Sequence, residues 1–368
     1  MHTLVQKIFV SKENTNQHFD FIDWVYFLGI ILVVFGHSHP LGDSWEYWYS
    51  TVNGWIYSFH MPLFFFISGF LLAYTKSIDR LGYKKWILGK IIKFGIPYVV
   101  LTVIAYVPKY MLGDTSDTVS MGPGYFLNTT FLNPRLGVWG HFWFIYALII
   151  LEAVWGVWRR LTKVNPKAGR IYLGVGFVIS AVITIHWVRT TLFCLGDLPF
   201  VAIFYVCGIL TALLKPVLWD KWWKNTLSIV LCGAVCFFTF HLGNYRVTTN
   251  TIFNFINAML LVWIFWNAGK LLSPIQWKPV QRIVPWAFTI FVYSWPCQAV
   301  METILRRGGV GWNATVAILF PVGLIIPLIL VYCYRRFTWI HCKFFDYLFG
   351  IHTGNRAGMK KILSKKEQ

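Results

Sequence analysis

Charge is scarce in this 368-residue chain. Asp, Glu, Lys and Arg make up 13% of it, about half the share in a soluble domain. Acids are scarcer still: 14 Asp and Glu stand against 33 Lys and Arg, a formal net charge of +19. So few acids leave little for an ion-coupled pathway through a membrane. Paired cysteines are missing as well. The seven cysteines form no C-x-x-C and lie mostly within apolar runs. That argues against a disulfide framework or a zinc site and makes them small buried apolar residues. A cleavable signal peptide is not expected either. The first apolar run follows about 20 mixed residues, is long enough to span, and lacks a small-residue cleavage site. Nor does the chain show a soluble domain, a low-complexity segment or an internal repeat.

What is abundant is apolar bulk. The chain is 57% hydrophobic and 19% aromatic, with 20 tryptophans, which implies a polytopic membrane protein. The excess of base does not imply nucleic acid. Lys and Arg sit in short clusters between apolar runs instead of in one domain. The runs predict about ten membrane helices, near 22–40, 54–75, 87–108, 138–158, 171–189, 198–214, 225–243, 250–269, 283–303 and 313–334. The fold class expected is an all-α bundle of about ten transmembrane helices. Residues 1–20 form a tail, 21–335 the membrane domain and 336–368 a basic tail.

Alternate loops are basic. One set holds Lys76, Arg80, Lys84, Lys85 and Lys90, then Arg159, Arg160, Lys163, Lys167 and Arg170, then Lys215, Lys221 and Lys224, then Lys270, Lys278 and Arg282. The other set is poor in Lys and Arg, holding Lys109, Arg135, Arg189, Arg246, Arg306 and Arg307, and residues 41–53 carry Asp43 and Glu46 instead. The positive-inside rule then puts both termini in the cytoplasm. The longest outer link, about 109–137, is expected to form a lid.

The first run reads FIDWVYFLGIILVVFGHSHP, residues 21–40. At about 100° per residue, Asp23, Tyr26, Ile30, Val33 and His37 share one stripe. An ionisable group within a membrane is costly and marks a functional site. His37 falls at the outer end of this helix. Asp23, at the other end, is too far away to orient it, and is as much a helix-start residue as a functional one. His60 is expected to open the second helix and His141 the fourth, at a depth similar to His37. His39, His186 and His241 are expected to be interfacial. Pro62 and the Ser68–Gly69 pair should open or kink the second helix, and Gly69 permits close backbone approach. Glu152, a lone buried acid, would pair with a base such as Arg159 or serve catalysis. Ser294 lies mid-helix beside Trp295–Pro296, where a serine usually bonds back to a carbonyl. Trp143, inside its span two residues past His141, is a candidate contact for substrate.

Together FIDWVYFLGIILVVFGH (21–37), FHMPLFFFISGFL (59–71) and HFWFIYALI (141–149) resemble the membrane acyltransferase-3 family. The nearest branch resembled is that of stand-alone, fucose-4-O-acetylase-like enzymes. The resemblance implies about ten membrane helices over the whole chain. It also implies transfer of an acyl group, usually acetyl, from cytoplasmic acyl-CoA to a hydroxyl of an extracytoplasmic or lipid-linked glycan. The family's catalytic histidine corresponds to His37. Where the family usually carries Arg or Lys, eleven residues earlier, this chain has Tyr26. Where it often carries a late-helix histidine, this chain has Ser294.

Acyl transfer needs a base for the hydroxyl and donors for the oxyanion. An imidazole can accept a proton at neutral pH, so His37 suits the base, with or without an acyl-histidine step. His60, His141, Trp143 and Ser68 are candidate donors or positioning groups; Asp23, Tyr26 and Ser294 are further candidates for substrate contact. Tyr26 lies about 16 Å from His37 along the helix axis, roughly the reach of an extended pantetheine arm. Lys84, Lys85, Lys90, Lys93 and Arg282 are candidates for binding coenzyme A phosphates. The cofactor expected is acetyl-CoA or another acyl-CoA, with no metal. The partners expected are a glycan or lipid-linked sugar and membrane lipid, with no nucleic acid; assembly as a homo-oligomer stays open. The location expected is the bacterial cytoplasmic membrane. Three other readings remain: a transporter or flippase, a metal or haem carrier using His37, His60 and His141, and a scaffold without catalysis.

Overall fold

The computed structural model describes residues 19–42, 45–75, 77–111, 123–186, 190–214, 221–242, 251–336 and 343–349. Among these residues the chain is helical and holds no strand. Ten long helices follow one another: α1 (Asp20–Gly36), α2 (Tyr47–Tyr74), α3 (Tyr83–Met111), α4 (Trp143–Val164), α5 (Pro166–His186), α6 (Leu198–Leu214), α7 (Trp222–Leu242), α8 (Thr251–Leu272), α9 (Ala287–Arg307) and α10 (Trp312–Arg336). Nine helical stretches among the described residues are long and apolar enough to cross a membrane. The expected tenth is α1, which has 17 residues and so spans about 25 Å, at the short end of crossing length.

Local chemistry explains the departures from expectation. α1 stops at Gly36 rather than near residue 40. His39 precedes Pro40, which disfavours helical backbone there, and the Ser38 hydroxyl donates to the Val34 carbonyl at 2.7 Å. α2 begins at Tyr47, so His60 lies more than three turns inside it instead of opening it. α2 also runs unbroken through Pro62. Residues 123–136 of the expected lid form three short helical turns, tied to α4 by Tyr146, whose hydroxyl donates to the Phe131 carbonyl at 2.8 Å. The loop residues Asp43, Lys76, Arg189, Lys215 and Arg246 lie outside the described residues, as do 1–18 and 350–368 of the expected tails and 112–122 of the expected lid. The side chains of Lys109, His186 and His241 lie outside them too.

α2 is the interior helix: 83% of its most apolar stretch is buried, against 17% for α5. α5 therefore shows mostly apolar side chains outward, as a lipid-facing helix does. α2 and α6 cross in close contact. Gly69 lies against the Tyr205 backbone carbonyl and Gly208 against the Phe66 carbonyl, so a Cβ at either would strike backbone. Small residues that let helices touch are the usual device where lipid removes the hydrophobic drive for association. α1 packs against α2, α8, α9 and α10. Ile22 and Val25 pack into one core with Leu63, Phe66 and Trp266; Ile30, Val33 and Val34 join a second with Phe65, Ile145 and Ile290.

Candidate active site

The stripe on α1 separates into two regions. In its N-terminal half, Asp23, Tyr26 and Ile30 line a cavity of about 530 Å³, a size usual for small-molecule sites. The cavity reaches the helix ends at Phe19, Thr75 and Ser77 and runs inward to Phe64 and Phe144. Most of its wall is apolar. Its polar groups include Asp23, Ser68, Lys90, Lys93 and Glu152. Lys90 Nζ donates to Glu152 Oε1 at 2.9 Å. Glu152 is buried, with the Tyr205 hydroxyl beside it. Arg159 is therefore not its partner; that guanidinium holds Asp79 at 2.9 Å and the Ala73 carbonyl. Lys93 sits over the Phe94 ring, 5.1 Å from its centroid, and forms no salt bridge among the described residues.

The five cations expected to meet a donor do not all reach this cavity. Trp86, Lys90 and Lys93 share one face of α3 and line it. Lys84 and Lys85 fall on other faces by the 3.6-residue period and are exposed. Arg282 is exposed on the short helix Lys278–Ile283. Asp23 does not cap α1, whose cap position is Phe19. It lies in the first turn, where a negative charge meets the positive end of the helix dipole. Ser68 donates to the Phe64 carbonyl at 2.8 Å.

The second region lies around His37, which is the C-terminal cap of α1. Helix ends leave carbonyls without partners inside the helix, and here side chains supply them. Gln298 Nε2 donates to the Val34 carbonyl at 3.0 Å. The Tyr49 hydroxyl donates to Phe35 at 2.7 Å. Asn53 Nδ2 and the Tyr57 hydroxyl both donate to Gly36, each at 3.3 Å. Tyr57 Oη also lies 3.2 Å from His37 Nδ1.

His141 stands in the turn Gly140–Phe142 that leads into α4. Its ring is 5.9 Å from that of His37 and 5.1 Å from that of Trp295. His60 is buried, donates from Nδ1 to the Ile56 carbonyl at 2.8 Å, and lies against Tyr57 at 4.9 Å between rings. His37 and His141 thus meet directly, with His60 behind Tyr57. Among the described residues no three His, Cys, Asp or Glu side chains are grouped as metal ligands.

Trp143 and Ser294 do not line the cavity. Trp143 is buried at the start of α4, with the Arg135 guanidinium 4.4 Å from its ring centroid. Arg135 also pairs with Asp197. The Ser294 hydroxyl is buried and makes no hydrogen bond among the described residues, so the expected back-bond is absent. Sequence reasoning missed Tyr49, Asn53, Tyr57 and Gln298. The first three recur every four residues on an apolar helix, a polar line visible in YWYSTVNGWIY.

A helical membrane bundle that sets a histidine cluster in line with a cation-bearing cavity has the parts of a membrane transferase. The chain belongs to the membrane acyltransferase-3 family: residues 19–332 match its acyltransferase domain. It is similar to the glucans biosynthesis protein C of Escherichia coli (strain K12), 23% identical over 309 residues that cover 74% of this chain and 79% of the relative. The same figures hold for glucans biosynthesis protein C of Shigella dysenteriae serotype 1 (strain Sd197). No solved structure matches the chain.

Proposed function

We propose that this acyltransferase is an O-acyltransferase of the bacterial cytoplasmic membrane, with both termini cytoplasmic. It takes the acyl group, acetyl in the first instance, from cytoplasmic acyl-CoA and places it on a hydroxyl of a cell-envelope, exopolysaccharide or lipid-linked glycan. The relatives' name makes a glucan the first acceptor to try. The observation that carries the reading is the common stripe: the helix that lines the cavity with Asp23, Tyr26 and Ile30 ends in His37. The alternating loop charges support the orientation.

The cavity suits the donor. Its apolar wall can hold a pantetheine arm, and Lys93, with Lys90 beyond it, is placed to meet a phosphate. The about 16 Å from Tyr26 to His37 along the axis lets the thioester approach the histidine. His37 Nε2 accepts the acceptor hydroxyl's proton as that oxygen attacks the thioester carbonyl. The C–S bond breaks, and the thiolate leaves with the proton returned from His37. His141, beside His37, is placed to donate to the oxyanion.

The test uses purified protein in liposomes, labelled acetyl-CoA on one side and a glucan on the other. Label should appear on the glucan, and His37→Ala should abolish it while the thermal midpoint is kept. Full transfer by His37→Ala would remove the base assignment. Movement of unmodified glucan without CoA, and no acylation, would replace the reading by transport.

A further inference from the structure

We infer that Tyr57 is a positioning residue that fixes the tautomer of His37, holding the proton on Nδ1 and the lone pair on Nε2. The inference rests on the reading of His37 as the base. It follows from counting protons around one hydroxyl. A carbonyl oxygen can only accept, and Tyr57 lies 3.3 Å from the Gly36 carbonyl and 3.2 Å from His37 Nδ1. The phenol has a single proton. Donated to Gly36, it leaves a phenolic oxygen that can only accept from the imidazole. Nδ1 must then carry hydrogen, and a neutral ring has its lone pair on Nε2.

The surroundings keep Tyr57 at this task. Its ring is clasped between His37 and His60, with centroids at 5.8 Å and 4.9 Å. His60 cannot take over the phenol's role through its own Nδ1, which is committed to Ile56. The Gly36 carbonyl is fixed by a second donor, Asn53. The carbonyl, the hydroxyl and the imidazole therefore form a relay with one polarity. It runs from His37 to Tyr57 to the backbone of the helix that carries His37. Without the hydroxyl, the ring can place its proton on either nitrogen, and part of the population has no base at Nε2.

Tyr49 supplies the control. Its hydroxyl makes the equivalent bond to the neighbouring carbonyl, Phe35, two turns earlier on α2, and makes no hydrogen bond to His37 among the described residues. A purely structural role for these tyrosines would make Tyr49→Phe and Tyr57→Phe behave alike.

The first measurement is the 15N spectrum of ring-labelled histidine in the full-length wild-type protein in lipid, with His37 assigned by its loss in His37→Gln. Hydrogen on Nδ1 is expected; hydrogen on Nε2 overturns the inference without any need for a variant to fold. In Tyr57→Phe, kcat should fall by the same factor as the fraction of His37 that keeps hydrogen on Nδ1, the KM for acetyl-CoA should stay within twofold, and His37 should show both tautomers. Tyr49→Phe should lower the thermal midpoint and leave His37 with hydrogen on Nδ1 alone. Mixed tautomers in both variants, or an unchanged kcat for Tyr57→Phe, would overturn the inference. If His37→Gln itself retains transfer, the base reading fails; if it abolishes transfer and Tyr57→Phe is normal, the tautomer assignment alone fails.

Discussion

The two ends of α1 are built in opposite ways. Around Asp23, Tyr26 and Ile30 the helix borders about 530 Å³ of open space with few polar groups. Around His37 the last-turn carbonyls of Val34, Phe35 and Gly36 are each held by a side chain from α2 or α9. A donor site must admit and release a large molecule, so it needs room and a few well-placed charges. A base must keep its geometry through each turnover, so it needs many fixed partners. One short helix, rigid at one end and open beside the other, can do both.

Variants at the two ends should leave opposite kinetic signatures. The largest effect is expected for His37→Gln: kcat falls about a thousandfold, and the KM for acetyl-CoA stays within twofold in steady-state assays. A rise in KM with kcat retained would merge the two regions. Next is Gly208→Val, at the α2–α6 crossing, where a side chain would strike the Phe66 backbone. Overpacking there costs about 1–3 kcal/mol, read as a lower thermal midpoint, with activity and donor binding lost together as the fold is lost. Smaller is Lys93→Met. Losing a bond from a charged donor to phosphate is worth about 1.5–3 kcal/mol, which for the partly exposed Lys93 should show as about a tenfold higher KM with kcat kept. The smallest effects, under twofold in KM, are expected for Lys84→Met, Lys85→Met and Arg282→Met, which stand outside the cavity. Equal effects of Lys84 and Lys93 would move the donor site to the surface.

The comparison also shows what could be read from the chain alone. The 3.6-residue period set Asp23, Tyr26, Ile30, Val33 and His37 on one face, and both regions lie along that face. The apolar runs give the helices, and Gly69 marked a close crossing before its partner in α6 was known. The partners are what local patterns miss. Lys90 and Glu152 are 62 positions apart, so proximity in sequence points to a base such as Arg159 and not to Lys90. Loop charge marked Lys84, Lys85 and Lys90 alike, because orientation depends on the sum of charges and not on the face each occupies. The start of α2 at Tyr47 was hidden by the polar residues Tyr49, Ser50, Thr51 and Asn53, and two of those cap α1.

The donor's acyl group must lie between the cavity and His37 if one helix serves both donor and base. Photolabelling of the full-length protein in lipid with an acyl-CoA whose acyl chain carries a diazirine tests this directly. The account predicts label on α1 between Tyr26 and His37 and on the facing segment of α2 around Phe64, blocked by excess CoA. Label confined to residues 123–136, or label on α1 that CoA does not block, would contradict it.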